Sequence, residues 1–455
     1  MGNWLSQDQI RDRFSQSMSE MYRQEVPQYG ALIELVDTVN RKVLAADPAF
    51  HAELRDSDEL DRLHVERHGA IRVGTPEELS MLRRLFAVMG MYPVGYYDLS
   101  IAGVPVHSTA FRPIADAALK RNPFRIFTSL LRLELIESTE LRKQAADILA
   151  GRDIFTPGVR ELIATAERQG GLDADQAERF VSEALETFRW HQDATVDIAT
   201  YQALSNEHRL IADVVCFRGP HINHLTPRTL DIDAVQQCMP ERGIDPKAII
   251  EGPPRRDCPI LLRQTSFKAL EEPIRFAGNV GGHHTARFGE IEQRGMALTR
   301  KGRELYDRVL ATFRLGQAAS DNTEHQEQLA DAFSDFPDDL VTLRREGLAF
   351  FHYRAVPGVE PVCNTQDIEK LIEAGALIAT PITYEDFLPV SAAGIFQSNL
   401  GDGEHSSGAD SVEGNQGSQA RFEEALGAKV SDEIELYERQ QKNSLEQALA
   451  ALNLQ

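Results

Sequence analysis

The sequence predicts an α+β protein in which a strand-rich centre is wrapped by helices. Three observations carry this. The N-terminal third repeats apolar residues at a spacing of three to four, as in ALIELVDTVNRKVL, which marks one face of a helix. Residues 92–112, YPVGYYDLSIAGVPVHSTAFR, are rich in aromatic and β-branched side chains broken by Gly and Pro, the pattern of strands and turns. Residues 258–270 and 286–298, CPILLRQTSFKAL and ARFGEIEQRGMAL, read as further strands.

Taken in order, residues 6–24 and 28–46 each carry the helical spacing. GAIRVG, bounded by glycines, reads as a short strand with His68 just before it. TPEELSMLRRLFAVMG is a helix with a strong start: Thr75 caps, Pro76 suits the first turn, Glu78 completes a capping box, and Gly90 ends it. From about 123 to 210 the pattern is helical again, with a second Thr-Pro start at Thr156, and reads as an insertion between strands. LIADVVCF (210–217) reads as a buried strand, and a helix is expected at 299–314. GDGEHSSGADSVEGNQGSQA (401–420) has the composition of a flexible loop, followed by a helical tail over 421–455. The expected organisation is one large domain over 1–400, with that insertion, loop and tail.

Composition narrows the function. The chain has 455 residues, of which 42% are hydrophobic, and a formal net charge of −22. No basic excess is available to neutralise phosphates, so no nucleic-acid partner is expected. An anionic substrate stays open, because a few placed arginines outweigh the global field locally. Cys216, Cys238, Cys258 and Cys363 are widely spaced with no C-x-x-C, against a zinc knuckle, an iron–sulfur cluster or a disulfide framework. A reducing compartment fits best. MGNWLSQDQIRDRF lacks the pattern of a signal peptide, and no apolar run approaches the ~18 residues that span a bilayer. The expectation is a cytoplasmic protein with no membrane partner.

Three segments concentrate groups that bind metals or anions. LHVERHGAIRVGT (63–75) holds His64 and His68, four apart, and Arg72 four further on. It differs from the zinc-protease signature H-E-x-x-H, because Glu66 sits midway between the histidines. GPHINHLTPRTLDID (219–233) holds His221, His224 and Arg228, and GGHHTARFGEIEQRG (281–295) holds His283, His284, Glu290 and Glu292. On a strand, Glu290, Glu292 and Arg294 share one face, whereas His221 and His224 point opposite ways. Each segment alone also reads as a solvated face, a polar turn or, for Arg72, a structural salt bridge. Two histidines and a carboxylate from three distant segments compose a facial triad, which holds non-haem Fe(II) and leaves positions open. An open-sided metal suits a substrate that chelates through two oxygens, as a 2-oxo acid does, with O2 beside it. Arg72 then suits a substrate carboxylate in fork geometry.

VERHGAIRVGT, HINHLTPRTLDID, RFGEIEQRG and TYEDFLPVSAAGIFQSNL (383–400), in this order, closely resemble the bacterial 2-oxoadipate dioxygenase/decarboxylase family of lysine breakdown. The resemblance runs from QEVPQYG (24–30) to residue 400. It implies a curved β-sheet core similar to the vicinal oxygen chelate superfamily, enclosing Fe(II). The implied ligands are His68 of H-G-A-I-R, His224 of H-I-N-H-L-T and a glutamate of F-G-E-I-E-Q-R-G. Of its two glutamates, Glu292 is preferred to Glu290 on the family's ligand spacing. The implied substrate contacts are His68, Arg72, and Val390 and Ser391 of the P-V-S segment, with His64 a structural neighbour. The implied reaction takes 2-oxoadipate, a 2-oxo dicarboxylic acid, and O2 to (R)-2-hydroxyglutarate and CO2, and it resembles that of hydroxymandelate synthase. Two alternatives stand beside it. Vicinal-oxygen-chelate folds also host isomerases, epimerases and ring-cleaving dioxygenases. A non-catalytic dicarboxylate-binding metalloprotein is the other, although a structural metal usually has closed coordination.

Overall fold

The computed structural model describes residues 4–314, 322–359, 366–388 and 412–454. Its strands are β1 (Arg67–Val73), β2 (Tyr92–Asp98), β3 (Val106–Arg112), β4 (Arg125–Leu131), β5 (Leu225–Pro227), β6 (Leu262–Ser266), β7 (Leu270–Phe276), β8 (Val280–Arg287), β9 (Glu290–Arg294), β10 (Phe351–Ala355) and β11 (Leu377–Pro381). With the helices between them, they make the α+β fold that the sequence predicts.

The chain divides into two compact units. The first comprises Met1–Lys247, Thr265–Ile291 and Phe387–Val430, and the second comprises Ala248–Gln264, Glu292–Asp386 and Ser431–Gln455. One domain over 1–400 was expected. Local patterning reports elements, not which distant stretches assemble with each other, so this interleaving has no signature in periodicity.

The first unit is built on a five-stranded sheet of order β2-β3-β4-β1-β5. β1 runs parallel to β4 and antiparallel to β5, while β3 runs antiparallel to both β2 and β4. Every residue of β3 and β4 is buried. Both strands are therefore covered on both faces, although His107, Ser108, Thr109 and Arg112 of β3 and Arg125, Thr128 and Ser129 of β4 are polar. Its helices start where the sequence says they should. Pro76–Val88 opens with the Thr75–Glu78 capping box and gives way to Gly90 at φ +67°, and Pro157–Gln169 is capped by Thr156. Gln7–Glu25 packs on Ala174–Leu185, which packs on Pro157–Gln169, which in turn packs on Pro76–Val88.

Three segments differ from expectation. Residues 210–217 are not a strand: Arg209–Val215 is a helix, buried at every position from Leu210 to Val215. A continuous apolar run has no period that separates a buried strand from a buried helix. The stretch 123–210 begins with β4 and only then turns helical. Of the expected loop 401–420, residues 401–411 lie outside the described residues, and the remainder belongs to the helix Val412–Leu426.

In the second unit β10 and β11 form an antiparallel pair, and the helix Glu433–Ala451 packs on β10. Arg300–Arg314 is the helix expected at 299–314. No helix among the described residues is long and apolar enough to cross a membrane.

Candidate metal centre

β1 carries His68, and its pairing with β5 sets Thr226 opposite His68 and Leu225 opposite Gly69. His224 immediately precedes β5, and Glu290 opens β9. The three side chains converge. Among the described residues, His68, His224 and Glu290 form a group whose ligand atoms all lie within 4.8 Å of one another. All three are fully buried. His68 Nε2 lies 2.9 Å from Glu290 Oε1, and the two imidazoles meet edge to face with centroids 5.3 Å apart.

Thr226 ties two of them together. Its hydroxyl donates to Glu290 Oε1 at 3.3 Å and lies 3.0 Å from His224 Nδ1. Because the hydroxyl proton goes to the carboxylate, its oxygen accepts from His224 Nδ1–H, which leaves the ring's lone pair on Nε2. Metal-binding histidines are commonly fixed in this way through their other nitrogen.

The backbone around the group is closely fitted. A Cβ at Gly69 would stand 2.6 Å from Ile222 Cδ1 and 2.9 Å from the His224 carbonyl oxygen, so only glycine lets β1 approach the segment that bears His224. A Cβ at Gly289 would stand 2.1 Å from the Phe267 ring, which accounts for the glycine before Glu290. Asn223 N–H donates to the Ala70 carbonyl at 2.9 Å, and Phe288 N–H donates to the Asn223 carbonyl at 3.2 Å. Tyr22, from the first helix, lies 3.0 Å from the Asn223 carbonyl and 2.6 Å from that of Phe288, with its hydroxyl proton directed at this pair. Aromatic rings wall the site: Phe387 packs on His68 at 5.0 Å, Phe288 stacks on His224 at 4.9 Å, and Phe127 packs on Phe387 at 5.4 Å.

The carboxylate of this group is Glu290, where the sequence reading preferred Glu292. Glu292 belongs to the second unit, and Arg294 donates to both its oxygens, at 2.9 and 2.8 Å. Arg294 is held in turn by the carbonyls of Tyr384 and Asp386. Strand alternation gives positions 290 and 292 the same face and cannot choose between them; the arginine pairing is seen at Glu292.

Arg72, four residues along β1 from His68, donates from Nη1 to Asp213 Oδ2 at 2.9 Å. The other Asp213 oxygen accepts from His284 Nε2 at 2.9 Å, and His284 Nδ1 lies 2.8 Å from the Tyr201 hydroxyl. His221 Nε2 accepts from the Asn223 side-chain amide at 3.1 Å and lies 3.7 Å from Asp213. Burial opposes a charge on Asp213, yet His221, the hydrogen bond from His284 and Arg72 hold its carboxyl well below the usual carboxylate range. Burial pushes the His221 imidazole down to about 3, against the pull of Asp213. Sequence reasoning missed Asp213, although a lone acid inside the apolar run LIADVV was a usable signal.

The remaining motif residues take structural places. Glu66 is fully buried and accepts from Arg62, Arg125 and Arg228 at 3.0, 2.9 and 3.0 Å, so the Glu66 of H-V-E-R-H and the Arg228 of T-P-R anchor the start of β1 to its neighbours. His64 and His283 are exposed. Val390 and Ser391 lie outside the described residues.

Two imidazoles and one carboxylate, buried and mutually within reach, form a donor set that suits a divalent transition metal with positions left open. Arg72, on the strand that bears His68, is paired with Asp213, the salt bridge that its sequence position also allowed.

A family described as 2-oxoadipate dioxygenase/decarboxylase matches residues 14–399. The chain is 62% identical over 448 residues, 98% of each sequence, to the 2-oxoadipate dioxygenase/decarboxylase of Escherichia coli (strain K12). It is 56% identical over 462 residues to the protein of that name from Pseudomonas putida, covering 99% of this chain and 98% of the other. Its fold is similar to the crystal structure of the hydroxyglutarate synthase from Pseudomonas putida in complex with 2-oxoadipate, with a TM-score of 0.92 and 55% identity over 100% of both chains.

Proposed function

The chain belongs to the 2-oxoadipate dioxygenase/decarboxylase family, and we propose on that premise that it converts 2-oxoadipate and O2 to (R)-2-hydroxyglutarate and CO2, using Fe(II) held by His68, His224 and Glu290. The observation that carries this reading is the buried His–His–carboxylate group in a chain matched end to end by relatives of that name. A divalent metal held by His68, His224 and Glu290 would supply the Lewis-acid and redox chemistry for using O2 on a 2-oxo acid. The rest is the work of the chain. Thr226 holds His224 in the tautomer that presents Nε2. Arg72 takes a substrate carboxylate through its planar N–H edge, a geometry lysine does not offer. Val390 and Ser391 are assigned to the substrate by resemblance. Phe127, Phe288 and Phe387 keep the site dry, which strengthens each polar interaction in it and limits side reactions. The widely spaced cysteines support a cytoplasmic setting, and lysine breakdown is the assigned role.

The test is anaerobic reconstitution with Fe(II), followed by O2 and 2-oxoadipate. One O2 consumed per CO2 released, with 2-hydroxyglutarate as product, is expected. Parallel loading with Mn(II), Co(II) and Zn(II) should give no comparable turnover. Absence of O2 uptake by the fully iron-loaded protein would sink the reading.

A further inference from the structure

We propose that Asp213 is a positioning residue for Arg72, and that Tyr201 and His284 hold it in that role, so that a hydrogen-bonded line from Tyr201 to Arg72 aims the guanidinium at the substrate. The proposal rests on the reading of Arg72 given above and adds to it the machinery behind the arginine.

The line has a consistent direction. The Asp213 carboxylate only accepts, so His284 Nε2 carries the proton between them. With the proton on Nε2, His284 Nδ1 accepts from the Tyr201 hydroxyl at 2.8 Å. The second Asp213 oxygen accepts from Arg72 Nη1 at 2.9 Å. Each group thus fixes the next, and the last is a long side chain with many rotamers that would otherwise lose entropy on binding substrate.

The placement is not that of an ordinary surface salt bridge. Asp213 is 8% exposed and sits in a helix whose neighbours Leu210, Ile211, Ala212, Val214 and Val215 are all buried apolar residues. A carboxylate there is costly unless its partners are held in place. The line is also braced: Trp190 lies parallel to the His284 ring at 6.2 Å and meets the His221 ring edge-on at 4.7 Å. Preorganisation of this kind is what a binding arginine needs if it is to meet a carboxylate in fork geometry without reorganising.

The experiment measures anaerobic binding of 2-oxoadipate to the Co(II)-loaded full chain, with steady-state KM and kcat of the Fe(II) enzyme alongside. The variants are Arg72→Lys, Asp213→Asn, their double mutant and Tyr201→Phe. Asp213→Asn should weaken 2-oxoadipate binding about ten- to a hundredfold and raise KM in step, with Co(II) affinity unchanged and kcat much less affected. The double mutant should bind no more weakly than Arg72→Lys alone. Tyr201→Phe, the mildest change, should raise KM a few-fold, and it keeps the test open should Asp213→Asn fail to fold. If Arg72→Lys alters neither binding nor KM, Arg72 does not take the substrate, and the reading and this inference fall together. If Arg72→Lys impairs binding while Asp213→Asn and Tyr201→Phe do not, or if the double mutant shows additive losses, the inference alone is overturned.

Discussion

The first unit contains two buried sets of two histidines and one carboxylate, and they are opposites. His221, His284 and Asp213 are closed by permanent partners: a guanidinium and an imidazole on the two carboxylate oxygens, a tyrosine hydroxyl on the far side of His284, an asparagine amide on His221. In His68, His224 and Glu290 the partners turn the donor atoms toward one another, with Thr226 orienting the rear of His224. Residue types are matched, and burial is matched. What separates the other set from the candidate metal set is the cation already paired with its carboxylate. Arg72 brings it to Asp213, whereas Glu290 has histidines and a hydroxyl around it. The same contrast separates Glu290 from Glu292, which Arg294 already neutralises.

The comparison breaks most sharply at its carboxylates. Glu290→Gln should lower Fe(II) or Co(II) affinity by more than about a hundredfold and remove turnover, because losing a ligand exceeds the effect of losing a partner of a ligand. Glu292→Gln should keep metal affinity and instead destabilise the fold by about 3–5 kcal/mol, since it removes the buried carboxylate that Arg294 bonds through both oxygens. Metal titration and urea unfolding of both variants measure this. The reverse pattern would restore Glu292 as the ligand.

Thr226→Val tests orientation at the rear of His224. It should cost about ten- to a hundredfold in metal affinity. Loss no greater than in a surface control would mean that the tautomer is fixed elsewhere. Gly69→Ala tests the close approach of β1 to the His224 segment. Overpacking there should destabilise by about 1–3 kcal/mol, read as a lower urea midpoint.

The closed set should also show a dependence on pH. His221 is held neutral in the folded state down to about 3, while in the unfolded chain it titrates near its ordinary value. Between those values the unfolded state binds the extra proton. Stability from this group is therefore complete above about pH 6.5 and declines as pH falls from there toward 3. His221→Asn should flatten that part of the pH–stability curve. An unchanged slope would remove His221 as its source.

Much of this was legible in the sequence, for local reasons. Thr75 and Glu78 form a capping box wherever they precede a helix, and H-G-A-I-R announces a strand with histidine and arginine four apart. His68, His224 and Arg72 came from motif resemblance, and the structure gives the motif glycines a reason. What stayed hidden depends on distant partners. LIADVV has no period that separates helix from strand, so the acid within it went unused. Glu290 and Glu292 are equivalent by alternation, and the arginine pairing of Glu292 has no local signature. The interleaving of two units is a property of the whole chain.

Tyr22 carries a further consequence. Its hydroxyl, which burial keeps protonated, serves the carbonyls of both Asn223 and Phe288, and Phe288 N–H itself donates to Asn223. These residues flank the segments that bring His224 and Glu290 into place. The first helix, the approach to β5 and the approach to β9 therefore open as one cooperative unit. In hydrogen exchange, the amides of Asn223 and Phe288 should become labile together, and only when Gln7–Glu25 detaches. The first residues of the chain thereby set how long a site formed by its middle survives.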